Sequence, residues 1–195
     1  MNFLGHAFLS FGDPEILTGN MIGDFVKGKK ALEQYPEKIR KGIMLHRAID
    51  SYADMHPANI RAKVWFRETY GLYSGAVVDT VYDHFLATDA HYFKTEKELY
   101  DFSQETYAKL EQHSEHFPPR FAAMFPYMKE QNWLYNYRTM KGVERSLQGL
   151  GRRAQYMPPS DDAYKTFVLR YYQLEQCFFE FMEKAYNFVN QELRG

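Results

Sequence analysis

Three apolar stretches in the first ninety residues carry acids and histidines that apolar surroundings disfavour. They are Gly19-Asn20-Met21-Ile22-Gly23-Asp24-Phe25-Val26-Lys27-Gly28, Gly42-Ile43-Met44-Leu45-His46-Arg47-Ala48-Ile49-Asp50 with its continuation to Asp54, and Val77-Val78-Asp79-Thr80-Val81-Tyr82-Asp83-His84-Phe85-Leu86. Burying a carboxylate among such neighbours costs several kcal/mol unless a positive or hydrogen-bonding group compensates it. Either these side chains point outward, or they converge on a shared cation. On a helix, His46 and Asp50 are one turn apart on one face, as are Asp79 and Asp83, and Asn20 and Asp24. His84 follows Asp83 about 100° round the same helix. Rows of ligand-type side chains on three helices can close around one or two divalent cations, as metal sites in bundle cores do. Mixed imidazole and carboxylate donors suit Mn²⁺, Fe²⁺ or Zn²⁺, and the excess of carboxylates leans toward Mn²⁺ or Mg²⁺.

Each row alone has a plainer reading. An i, i+4 His/Asp pair is commonly a surface hydrogen bond, and Asp54 before Met55-His56-Pro57 reads as a turn residue. His6, between Phe3-Leu4 and Phe8-Leu9, reads in isolation as a core histidine, and is also counted among the candidate ligands. His91, His113 and His116 lie in polar stretches and carry no signal. The coincidence of three acid-bearing apolar segments is what points to a metal.

The elements that must position these groups read as helices nearly throughout. After Pro36 the apolar spacing of Ile39, Ile43 and Ile49 marks a helix to about Asp54, and a second follows His56-Pro57 with a stripe of Ile60, Val64 and Trp65. Leu72 to Ala87 suits a buried helix, Thr95-Glu96-Lys97-Glu98 is a capping box, and Pro118-Pro119 precedes a short helix. Met140 to Leu150 is a helix closed by Gly149 and Gly151. After Pro158-Pro159-Ser160 one long helix carries the seam Phe167, Tyr171, Leu174, Phe178, Phe181, Ala185 and Phe188. The expectation is one all-α domain, residues 1–195, of seven or eight helices.

Composition agrees. The chain has 195 residues, 45% hydrophobic and 25% charged, with 16 Phe, 16 Tyr and 2 Trp to fill a core. The lone Cys177 fits a reducing compartment, no window reaches a membrane span, and the N-terminus lacks a signal-peptide pattern, so a cytoplasmic protein is expected. The net charge of −1 hides asymmetry. Lys27, Lys29, Lys30, Lys38, Arg40, Lys41 and Arg47 face only Glu33 and Glu37 between positions 27 and 47, and residues 129–153 hold a second basic excess that includes Arg152 and Arg153. Residues 79–101 are acidic. Solvated helix surface accounts for any one run; together they suggest a face for an anionic partner.

The motifs Met1-Asn2-Phe3-Leu4-Gly5-His6, Gly19 to Gly28, Gly42 to Asp50 and Tyr82-Asp83-His84-Phe85-Leu86-Ala87 resemble those of the acyl carrier protein phosphodiesterases. The resemblance continues more weakly through Trp133-Leu134-Tyr135-Asn136-Tyr137 and Gly149-Leu150-Gly151-Arg152-Arg153. It implies a bacterial cytoplasmic enzyme that removes 4′-phosphopantetheine from holo-acyl carrier protein with a divalent metal, typically Mn²⁺, with Mg²⁺ or Fe²⁺ as alternatives. It also implies a helical bundle similar to the HD-type metal phosphohydrolases, although this chain carries Asp83-His84 in place of a His-Asp doublet. On that basis Asp24, His46, Asp79 and Asp83 are assigned to the metal, with His6, Asp50 and His84 as further ligands or orienting groups. Asp24, His46 and Arg47 are the catalytic candidates, and Arg47 and Lys27 would hold phosphate oxygens, with a salt bridge to Asp50 or Asp54 as the alternative role for Arg47. Because acyl carrier proteins are strongly acidic, Lys29, Lys30, Arg40 and Lys41 are expected to dock the partner, with Arg152 and Arg153 as a second patch.

Two rival classes share parts of this pattern. A metal phosphohydrolase for a nucleotide or small diester would use the same site without a protein partner. A non-catalytic binding module would use the aromatic faces of the C-terminal helix, which also leave room for a homo-oligomer interface. Nucleic acid and membrane partners are not expected.

Overall fold

Prolines and short polar side chains set the helix boundaries, and the resulting helices place one face of each on a common core. The computed structural model describes residues 1–194, and among these every regular element is helical. The helices in chain order are α1 (Phe3–Phe8), α2 (Pro14–Ile22), α3 (Lys29–Leu32), α4 (Glu37–Met55), α5 (Pro57–Tyr70) and α6 (Ser74–Thr88). They continue with α7 (Glu96–Glu111), α8 (Pro119–Glu130), α9 (Trp133–Asn136), α10 (Met140–Arg153), α11 (Asp161–Leu169) and α12 (Tyr171–Glu192). Asp13 caps α2 by accepting from the Glu15 and Ile16 amides at 3.0 and 3.1 Å, with Pro14 at the first helical position. His56, extended before Pro57, separates α4 from α5. Thr95 caps α7 as its motif predicts, accepting from the Glu98 amide at 3.2 Å. The buried side chains form one continuous core, at whose centre lies α6, buried from Thr80 through Ala87. No helix of the described residues is long and apolar enough to cross a membrane.

The all-α reading is borne out, with local corrections. The C-terminal run is two helices, because the backbone leaves helical geometry at Arg170 (φ −108°, ψ 20°) before α12 begins. Tyr70 anchors α11, its hydroxyl donating to the Pro159 carbonyl and accepting from the Ala163 amide, both at 2.7 Å. Helix α10 runs through Gly149 and Gly151 to Arg153, since neither glycine adopts the positive φ that would end it. The stripe assigned to α5 is wrong in phase. Ile60 and Val64 are 49% and 62% exposed, and the buried face is instead Ala58, Ala62, Phe66 and Tyr70. Small residues at i, i+4 let α5 lie close to α6 and α12, so the bulkier aliphatics fall outside. Leu72, expected inside, is fully exposed on a 3₁₀ turn that precedes α6.

One helix crossing governs the site. A Cβ at Gly19 would lie 2.1 Å from the Ile39 carbonyl oxygen, and one at Gly42 would lie 2.3 Å from the Ile16 carbonyl oxygen. Helices α2 and α4 therefore touch backbone to backbone, which no side chain larger than hydrogen permits. That contact brings the Asn20 carbonyl to the ring of His46.

Candidate metal centre

His6 comes from α1, Asn20 from α2, and His46 and Asp50 from successive turns of α4. Both imidazoles are buried and stacked, with centroids 4.0 Å apart and planes 18° from parallel. Asn20, fully buried in a run of apolar residues, orients them both. Its amide nitrogen donates to the His6 carbonyl at 2.9 Å and to the Ser10 hydroxyl at 3.0 Å, which fixes the side-chain oxygen toward His6. That oxygen accepts from His6 Nδ1 at 2.8 Å, and the Asn20 backbone oxygen accepts from His46 Nδ1 at 2.7 Å. Each Nδ1 thus carries a proton, and each ring in its neutral form presents its lone pair at Nε2. Gly23 makes room for this, since a Cβ there would meet the His46 ring at 2.4 Å.

Both lone pairs face carboxylate oxygens. Asp50 Oδ1 is 3.3 Å from His6 Nε2, Asp50 Oδ2 is 3.2 Å from His46 Nε2, and Asp24 Oδ1 is 3.4 Å from His46 Nε2. The two Nε2 atoms are buried without a hydrogen-bond partner. Buried polar atoms are nearly always satisfied, so two orphans aimed at the same carboxylate need a species between them. One donor atom from each of His6, His46 and Asp50 can be chosen so that all lie within 4.8 Å of one another, the spread a single cation spans. The donor set fits a divalent ion, and the Nδ1 hydrogen bonds supply the outer partners that metal-ligating histidines require.

The electrostatics are those of a strongly coupled cluster. Burial and the neighbouring His46 lower His6 to about 4. Burial also works against charge on His46, but Asp24 and Asp50 outweigh it and raise His46 to about 9. Burial works against charge on Asp50, but the adjoining His46 and His6 rings and the Met1 ammonium hold it well below the usual carboxylate range. Asp24 is lowered chiefly by His46. Its carboxylate is 73% exposed, so it stands at the mouth of the centre rather than inside it.

The remaining candidate ligands fall elsewhere. Asp79 on α6 pairs with the Met1 ammonium at 2.9 Å, and that ammonium is also 3.7 Å from Asp50. Burial opposes the ammonium's charge, yet the two carboxylates raise it to about 10. Asp79 is thus joined to the cluster through Met1, on the side of Asp50 that faces Asp54, Asn59 and Lys63. Asp83 is fully buried, and its two oxygens accept from the Leu4 and Gly5 amides at 2.8 and 3.0 Å. It caps α1, the helix that carries His6, and burial pushes its carboxyl up to about 7 against those two amides. His84 donates from Nδ1 to the Tyr137 carbonyl at 2.7 Å and accepts at Nε2 from the Tyr171 hydroxyl at 3.0 Å. Neither Asp83 nor His84 belongs to the His6, His46 and Asp50 group of converging donor atoms; each is turned instead to protein partners.

The basic residues divide between two places. Lys27 and Arg47 line the opening beside Asp24, His46 and Asp50, where Arg47 donates to the Val26 carbonyl at 3.0 Å. Lys29, Arg40 and Lys41 line a different groove with Met44 and Leu193, and Lys30 is exposed on α3. Lys41 is paired with Glu37 at 3.5 Å.

Comparison with known proteins assigns the chain to a family. The family model for acyl carrier protein phosphodiesterase matches residues 1–185. The chain belongs to the acyl carrier protein phosphodiesterase family. A relative of that name from Yersinia pestis is 32% identical over 181 residues, 93% of each chain, and one from Enterobacter sp. (strain 638) is 31% identical over the same length and coverage. No solved structure matches the chain. Within this family member, the sequence signals that pointed least clearly to the centre were those of His6 and Asn20. An asparagine in the largely apolar Ile16–Ile22 run was the available clue, because a buried amide must satisfy both its ends.

Proposed function

We propose that this chain hydrolyses the phosphodiester joining 4′-phosphopantetheine to the serine of holo-acyl carrier protein, releasing apo-carrier and phosphopantetheine. His6, His46 and Asp50 would hold the divalent cation, with Mn²⁺ as the expected ion and Mg²⁺ or Fe²⁺ as alternatives, and Asp24 would stand beside them. When bound, such a cation neutralises the anionic diester and acidifies a water. The observation that carries this reading is the pair of buried, partnerless Nε2 atoms converging on Asp50. The family's name supplies the substrate.

The chain's own residues have separable tasks. Asn20 holds both imidazoles in the tautomer that presents Nε2. Asp24, ionised and open to solvent, accepts a hydrogen bond from the attacking water and aligns it. Arg47, braced by the Val26 carbonyl, and Lys27 are placed to take non-bridging phosphate oxygens as their charge grows. Incubation with holo-carrier and Mn²⁺, followed by mass spectrometry of the carrier, is expected to show loss of the prosthetic group, and prior chelation is expected to prevent it. Turnover of free nucleotides or small diesters, with an intact holo-carrier, would transfer the assignment to the small-substrate class.

An acidic partner calls for positive ground around the opening. Lys29 and Lys30 are exposed on α3, two and three residues beyond Lys27 in the chain, and Arg152 and Arg153 line a cavity that Phe25 helps to wall. Rim charges act mainly on association. Raising the salt from 50 to 300 mM is therefore expected to lower kcat/KM on holo-carrier, and Lys29→Glu with Lys30→Glu to lower it about tenfold with kcat little changed. Salt-independent kcat/KM in both proteins would remove electrostatic docking.

A further inference from the structure

A cavity of about 280 Å³ lies between the start of α1 and helices α8, α9 and α10. It adjoins the centre: Phe25, which follows Asp24 in the chain, forms one wall, and Arg153 is near enough to Asp24 to feel its charge. Its lining combines three chemistries. Phe3, Phe25, Met124 and Trp133 supply apolar surface, and Gln131, Asn136 and Ser146 supply neutral hydrogen-bonding groups. Arg120, Arg145, Arg152 and Arg153 also line it, and none has a carboxylate partner among the described residues, although Lys141 there is paired with Glu144 at 2.7 Å. Four guanidinium groups without carboxylate partners give this concavity a positive charge suited to anionic oxygen.

We propose that this cavity receives the phosphopantetheine arm itself, its phosphate end at the arginines nearest Asp24 and its amide and alkyl portion along the aromatic wall. The assignment rests on the reaction proposed above and adds a binding site to it. A helix of the partner, about 10 Å across, is too wide for so small a space. A single extended chain bearing phosphate, amides and methyl groups matches the lining in kind. The arm would then be positioned by α10 and Trp133, while the carrier body stays outside on the basic rim.

Trp133 provides a direct readout, since the chain has only one other tryptophan, Trp65. In a Trp65→Phe background, titration of the Mn²⁺-loaded protein with free 4′-phosphopantetheine is expected to change Trp133 emission saturably. Unphosphorylated pantetheine should bind at least about tenfold more weakly if the arginines read the phosphate. Gly149 lines the cavity, and a Cβ there meets only the tips of Arg153 and Arg152, at 3.6 and 3.7 Å. Gly149→Phe should therefore fill the space, raise Kd at least about tenfold and leave metal content and Tm unchanged. If that variant fails to fold, Arg145→Glu on the exposed side of α10 serves instead, with the same expected loss. A silent Trp133, equal affinity for pantetheine, or unchanged binding in the filled variant would overturn the assignment. The two readings fail separately. Wild-type turnover of holo-carrier with a silent Trp133 removes the cavity and keeps the reaction, whereas saturable arm binding without any turnover removes the reaction and keeps the cavity.

Discussion

Asp50→Asn is expected to lower turnover of holo-carrier by about three orders of magnitude or more, equivalent to about 4 kcal/mol of transition-state stabilisation. Asp50 is the residue on which the two imidazole lone pairs converge, one on each oxygen, and it also lies 3.7 Å from the Met1 ammonium. The asparagine keeps the shape but loses the charge, and its NH₂ group would donate to one of the two Nε2 atoms and so occupy it. Bound Mn²⁺ measured by elemental analysis should fall below one equivalent. Helical content by circular dichroism should stay as in the wild type, because Asp50 is 39% exposed and supports no backbone group. Near-normal turnover with full metal content would take Asp50 out of the centre and leave the two histidines without an explanation.

How much of this was legible in the sequence depended on whether periodicity or three-dimensional crossing decided the matter. His46 and Asp50 are neighbours on one helix face, so their spacing alone placed them together. The same rule paired Asp79 with Asp83 and failed to say that they serve different masters, an ammonium in one case and two backbone amides in the other. Sequence spacing describes which side chains share a face, and says nothing of what the neighbouring element offers to that face. The His84 ring illustrates the point: its partners, the Tyr137 carbonyl and the Tyr171 hydroxyl, are 53 and 87 residues away. A buried histidine amid apolar residues has the same local appearance whether its nitrogens are satisfied or orphaned.

His6 makes the converse case. Read locally it is a core histidine, and it is indeed buried among Leu4, Ala7 and Leu9. Its role comes from Asn20, which takes Nδ1 and leaves Nε2 aimed at Asp50. That arrangement depends on α2 lying against α4 at the Gly19–Gly42 contact, two glycines that in sequence merely flank the motifs. The helix phases misread in α5 share this cause. Ala58 and Ala62 face inward because the neighbouring helices leave room for nothing larger, a constraint that comes from the partners and is absent from the α5 sequence.

Asp83→Ala separates a ligand from a support, and its expected effect on stability is the largest of any single change at the site. The substitution leaves the Leu4 and Gly5 amides unpaired inside the core, at about 1–3 kcal/mol each. A total near 4 kcal/mol corresponds to a fall in Tm of about 10 °C for a chain of this size. The fall should already be present without Mn²⁺, since the cap itself touches no metal, and should be no smaller with it, because a displaced His6 weakens the stabilisation the ion gives. Turnover should drop about 10- to 100-fold because α1 no longer holds His6 against Asn20, and raising the Mn²⁺ concentration should recover part of it. Asp50→Asn, by contrast, should show no such recovery. Wild-type Tm together with lost activity in Asp83→Ala would mean that the carboxylate acts on the cation directly and that its two amide hydrogen bonds contribute little to holding α1 in place.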